Sequence, residues 1–174
     1  MSADNQQERL KTIGWIVGFI DGEGCFSISI FKNKTSKLGW QLFPELAVTQ
    51  GEKSLSSLNL IKDFLGCGRI FVNRRHDNHK ENIYRYCVRS LEDLDAIVIP
   101  FFKKNKLRTS KSKDFEHFVE AVEIMKTGEH LSLAGLRKVA HISSKMNRKK
   151  PSVFLESPET IRQTPTRNAR SEKI

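Results

Sequence analysis

The most constraining feature of this chain lies between Leu10 and Phe31, where one hydrophobic period gives way to another across a glycine-rich junction. Apolar residues at 10, 13, 16, 17 and 20 mark one face of a helix over 10–20. Asp21, Gly22, Glu23 and Gly24 follow, two acids each trailed by a glycine. From Cys25 to Phe31 the pattern alternates, with Phe26, Ile28 and Ile30 on one side and Cys25, Ser27, Ser29 and Phe31 on the other, as in a half-buried strand. This order puts both carboxylates at a helix end beside a sheet. Gly14, Gly18 and Gly22 are spaced four apart and share one helix face. Glycine costs about 1 kcal/mol per helical position relative to alanine, so such a ridge calls for a reason. Close approach of a second helix supplies one.

The remaining elements are read the same way. A strand is expected over 40–50, with Leu42, Pro44, Leu46 and Val48 on one face and Gln41, Phe43, Glu45, Ala47 and Thr49 on the other. Pro44 belongs at a strand edge or bulge, since it has no N–H to give a ladder. A helix follows over 52–65, ended by Gly66 and Gly68, then a strand over 69–75 with Ile70 and Val72 inward. A charged turn over 76–81 leads to a strand over 82–89. Ser90 and Asp93 form a capping box that opens a helix with Leu91, Leu94, Ile97, Val98 and Phe101 on its apolar face. Residues 103–113 are a basic connector with six Lys or Arg in eleven positions. Helices over 114–125 and 133–146 come next, and Ser157-Pro158-Glu159 reads as a short helix start. The order α-β-β-α-β-β-α-α-α predicts an α+β fold, two antiparallel hairpins layered with helices. The chain divides into an N-terminal extension (1–9), one domain (10–147) and a basic C-terminal tail (148–174).

Charge narrows the class of partner. Thirty Lys+Arg against twenty Asp+Glu leave a net charge of +10 in 174 residues. That balance points to a polyanion, with nucleic acid ahead of an anionic membrane surface. No apolar run approaches the roughly 20 residues of a spanning helix. The polar start at 1–9 has no signal-peptide pattern, so a protein that is not secreted is expected, in a cytoplasm or an organellar matrix (chloroplast or mitochondrion). Cys25, Cys67 and Cys87 are odd in number and widely spaced, which argues against a disulfide framework. His76 and His79 lack the partners of a closed zinc site.

The segment Ile16-Val17-Gly18-Phe19-Ile20-Asp21-Gly22-Glu23-Gly24 resembles the LAGLIDADG motif of homing endonucleases, with seven of nine positions identical or conservative. The resemblance continues through Ala47-Val48-Thr49-Gln50, Leu65-Gly66-Cys67-Gly68-Arg69-Ile70, 86–94 and Ile99-Pro100-Phe101-Phe102, covering roughly residues 10 to 147. It implies the αββαββα fold of that family, with a curved antiparallel four-stranded sheet and further C-terminal helices. It also implies Mg2+ as cofactor, Mn2+ substituting, held by Glu23 with help from the Gly22 carbonyl. The Glu lengthens by one methylene the arm of the usual Asp. Magnesium takes hard carboxylate oxygens and completes its shell with water and phosphate. Asp21 is read as metal-binding or as a local acceptor for backbone N–H groups. Gln50 matches a residue that arranges water at the scissile phosphate. Lys111, with Lys113 as the alternative, would polarise the phosphate or the water, and Lys53 lies nearest the family's further basic position.

DNA contacts are expected from the outward sheet face. The candidates are Ser27, Ser29, Asn33, Gln41, Glu45, Arg69, Asn73, Arg75 and Arg85, with Arg75 suited to a guanine and Lys32 and Lys34 to phosphates. One motif per chain, against two strands to cut, implies a homodimer packed through Gly14, Gly18 and Gly22, and hence a long, pseudo-palindromic target. The function so implied is an intron-encoded, site-specific double-strand DNA endonuclease leaving 3′ overhangs. An RNA maturase binding intron RNA and a non-catalytic DNA-binding regulator are the alternatives.

Overall fold

The computed structural model describes residues 3–74, 81–147 and 154–156. The chain runs through α1 (Ala3–Glu23), β1 (Gly24–Lys32), β2 (Trp40–Gly51), a 3-10 turn (Glu52–Ser54), α2 (Leu55–Leu65), β3 (Arg69–Asn73) and β4 (Ile83–Val88). It continues through α3 (Leu91–Asp93), a π turn (Leu94–Val98), α4 (Ile99–Lys104), α5 (Lys111–Lys126), a second 3-10 turn (Glu129–Leu131) and α6 (Leu133–Lys145). The expected order of elements is therefore present. The first helix starts at Ala3, taking in residues assigned above to an N-terminal extension. Arg75, His76, His79 and the 157–159 segment lie outside the described residues.

The four strands form one antiparallel sheet in the order β1-β2-β4-β3. Pro44 faces Ile28 of β1, while β4 pairs with β2 only from Leu46 onward. The proline thus sits where β2 has β1 on one side and has run past β4 on the other, which meets the edge expectation. Helices cover the face carrying Phe26, Ile28, Leu42, Leu46, Val48, Tyr86 and Val88. Phe26 is fully buried, its ring 5.6 Å from Phe102, 5.1 Å from Phe115 and 5.3 Å from Phe118. Removing such a ring leaves a cavity and costs about 3–5 kcal/mol. Beside it the buried Tyr86 hydroxyl donates to the Cys67 carbonyl at 3.1 Å.

Local chemistry explains the element ends. The Ser90 hydroxyl accepts from the Asp93 N–H at 3.2 Å, as the capping pattern predicts. Gly66 ends α2 in the left-handed region at φ 71°. The helix after Ser90 contains Pro100, which has no N–H to donate, and the π turn lies directly before it. One side chain departs from expectation. Val72, read as inward, is 45% exposed. It lies on β3, the edge strand, opposite Tyr84 of β4, with no further strand beside it.

Candidate active site and nucleic-acid interface

The site is built where α1 passes into β1. Gly24 is buried there, and a Cβ on it would lie 2.7 Å from both the carbonyl oxygen and a side-chain methyl of Ile20. Only glycine lets the strand leave so close to the helix. The two acids on this junction meet different surroundings. Asp21 accepts the N–H of Arg108 at 2.9 Å, the N–H of Thr109 at 3.1 Å and the Thr109 hydroxyl at 2.6 Å. Burial works to raise its pKa, but the Thr109 hydroxyl, the two N–H donors and the Lys111 charge outweigh it and hold the carboxyl below its ordinary value. Asp21 thus ties the basic connector to the helix end.

Glu23 is exposed, and Gln50 donates its side-chain N–H to Glu23 Oε2 at 3.4 Å. Gln50 arrives near the end of β2, opposite Tyr84. Lys111, the first residue of α5, donates from Nζ to the Gly22 carbonyl at 3.3 Å and to the Gly24 carbonyl. Glu23, Gly22, Gln50 and Lys111 are therefore together, from three elements distant in sequence. Lys113 lies apart, lining a polar hollow of about 650 Å3 with Asp114, His117 and Lys145. Lys53 is paired with Glu81 at 2.7 Å, and that carboxylate raises the lysine's pKa.

The donor set fits a hard divalent cation in part. Among the described residues no group of three or more His, Cys, Asp or Glu side chains could enclose a metal. Glu23 and the Gly22 carbonyl are oxygen donors of the kind magnesium accepts alongside water and phosphate, so they suit a site completed by a nucleic-acid backbone.

The outward sheet face carries Ser27, Ser29, Gln41, Arg69, Asn73 and Arg85, as the alternation requires. Asn33 and Gln41 join across the first hairpin at 2.7 Å, and Asn33 also accepts from Thr35 at 2.7 Å, which fixes that turn. Lys32 lies over the Trp40 ring at 5.5 Å, and Lys34 is exposed. Glu45 is 5% exposed and is covered by Arg85 and Arg89, the latter at 2.5 Å. It stabilises the face from beneath and does not present itself to a ligand. Burial works to raise its pKa, and the bonds from Arg89 and Arg85 reverse that to a net lowering.

A profile of the LAGLIDADG endonuclease family matches residues 16–122. The chain belongs to the LAGLIDADG endonuclease family. "Probable intron-encoded endonuclease 3" of Neurospora crassa is 34% identical over 140 residues, 79% of this chain and 25% of that protein. Homing endonuclease I-ApeII of Aeropyrum pernix is 31% identical over 109 residues, 63% of this chain and 61% of its own. The crystal structure of homing endonuclease I-TnaI superposes with a TM-score of 0.69 at 37% identity, covering 78% of this chain and 87% of that one. That of I-LtrWI bound to target DNA gives 0.73 at 33%, covering 79% and 45%. The chain spans only about a quarter of the length of the first curated relatives it matches.

Two features of this LAGLIDADG chain escaped the sequence reading. Arg89 extends the outward alternation Arg85, Cys87 by one more step, a signal that was present in the strand pattern. Asn147, in the left-handed region at φ 49°, donates its side-chain N–H to the Phe26 carbonyl and its backbone N–H to Asp114, both at 2.9 Å. Nothing local in sequence announces that contact. The ridge of Gly14, Gly18 and Gly22 is open, since an added Cβ at any of the three would meet nothing among the described residues within 4 Å beyond its own stretch of helix. Leu10 and Trp15 on the same helix are 61% and 40% exposed. No helix is long and apolar enough to cross a membrane among the described residues.

Proposed function

We propose that this chain is a site-specific endonuclease for double-stranded DNA, encoded within an intron and acting as a homodimer with a divalent metal, Mg2+ or Mn2+. The observation that carries this reading is the exposed Glu23 carboxylate at the α1 terminus, with Gln50 at 3.4 Å and the Lys111 ammonium on the adjoining turn. In this reading Glu23, with the Gly22 carbonyl, would hold the metal. Bound there, the metal would lower the pKa of water and stabilise charge on the phosphate. Gln50 orients the attacking water through its amide. Lys111 places positive charge beside the scissile phosphate, and Asp21 holds the connector that brings Lys111 in. Lys113 and Lys53 act on the DNA backbone by charge alone.

The open glycine ridge supports dimerisation. Two α1 helices meeting there would bring two Glu23 carboxylates together, one for each strand. The target is then long and pseudo-palindromic, and 3′ overhangs are the products expected of the family resemblance. Relatives named as intron-encoded endonucleases support an intron origin, with action in the compartment that holds that gene, cytoplasm or organellar matrix.

The test is cleavage of a pooled double-stranded DNA library with Mg2+, including the intronless form of the sequence flanking the gene. One site cut on both strands is the expected result. Binding of folded intron RNA without any DNA cleavage would replace the nuclease reading by the maturase one.

A further inference from the structure

The outward sheet face holds a built cluster that catalysis does not use. At its centre is the carboxylate of Glu45, a residue 5% exposed. Arg89 donates from Nε to one carboxylate oxygen at 2.5 Å, and Arg85 donates from Nη2 to the other. Arg85 lies along β4, its Nε 3.3 Å from Cys87 Sγ. The Arg89 guanidinium lies over two aromatic rings, 5.1 Å from the centre of Phe43 and 5.0 Å from that of Phe71. Its side chain nonetheless remains 40% exposed.

We propose that Arg89 reads a guanine in the target and that Glu45 is its positioning residue. This inference rests on the DNA-recognition reading above and names a residue within it. The Glu45 bond uses Nε, so the two terminal Nη groups are the donors at the tip. Paired donors of that kind match the O6 and N7 acceptors of guanine in the major groove. Arginine is flexible in solution, and ordering it on binding opposes affinity. Here the carboxylate bonded to Nε and the two neighbouring rings have already ordered it. Charge agrees with this role. A bare Glu45 on the face would repel phosphates, whereas one carboxylate shared by two arginines leaves a net positive surface. Arg85 has Nε and Nη2 both engaged by the protein, so Arg89 is the better reader of the two.

The test is selection from double-stranded DNA oligonucleotides randomised across the target, in EDTA so that binding is read without cleavage. Wild type, Arg89→Lys and Glu45→Gln are compared, each first shown to be folded by thermal melting. Both variants are expected to lose preference at the same base pair, once in each half-site, by about 10- to 100-fold, the loss of one bidentate contact. Other positions keep their preference. Arg89→Lys leaves Glu45 paired with a cation and carries the test if Glu45→Gln melts early. A wild-type consensus that the variants retain in full, or that weakens evenly at every position, overturns the inference and leaves the recognition reading standing. A folded wild type that selects no consensus overturns both.

Discussion

Asp21 and Glu23 stand two residues apart with opposite surroundings. Asp21 is engaged by the Arg108 and Thr109 N–H groups and the Thr109 hydroxyl, while Glu23 is exposed with the Gln50 amide beside it. The sequence could place both acids at a helix end but could not say which would be engaged, because Asp21's partners lie 87 and 88 residues away. Asp21→Asn is expected to destabilise the fold by about 1 kcal/mol in urea titration near pH 7, because a charged acceptor of three solvent-accessible bonds becomes a neutral amide. The sign with pH follows from the lowered pKa. The stabilisation is complete above the unfolded value of about 4 and is lost as pH falls through the folded value. The gap between wild type and variant should therefore be widest near neutral pH and narrow progressively below about pH 4. A gap that stays constant from pH 7 to pH 2 would assign the stabilisation to shape alone.

At the scale of elements, the turn into β3 depends on Gly68, which is at φ 79° with an added Cβ only 2.7 Å from the Tyr86 ring and 2.8 Å from the Cys87 carbonyl. Gly68→Ala combines a left-handed strain of about 1–2 kcal/mol with overpacking of about 1–3 kcal/mol. A loss of roughly 2–5 kcal/mol in chemical denaturation is expected. Helices and strands were readable here because each shows its own period and because Ser90, Gly66 and Pro44 mark ends and edges as local chemistry demands. Val72 was not readable, since alternation says which face a residue takes but not whether its strand lies at the sheet edge. The Glu45 cluster was half readable. The outward alternation lists its members, but the direction Arg85 takes is set in part by its contact with Glu45, 40 residues away. The Asn147 contacts to Phe26 and Asp114 join residues 121 and 33 positions apart and have no local signature.

For the whole molecule, the open face of α1 supports the proposed homodimer. Gly18→Leu tests this cleanly, because the new side chain starts in space that nothing among the described residues occupies beyond its own stretch of helix. The variant should keep its helical circular dichroism and sediment as one chain where wild type sediments as two. Wild type sedimenting as one chain would contradict the assembly. The net charge of +10 predicts a steep loss of DNA affinity with salt, the logarithm of the binding constant falling by about 0.9 per phosphate contact for each unit of log salt. The most direct measurement of the central claim compares wild type with Glu23→Gln on the selected DNA site. Affinity is measured in EDTA and strand cleavage in Mg2+. The account predicts affinity within a few-fold of wild type and cleavage of both strands reduced by at least about 100-fold, as for a lost metal ligand. Cleavage by Glu23→Gln at the wild-type rate would contradict it, because the carboxylate would then have no part in the chemistry.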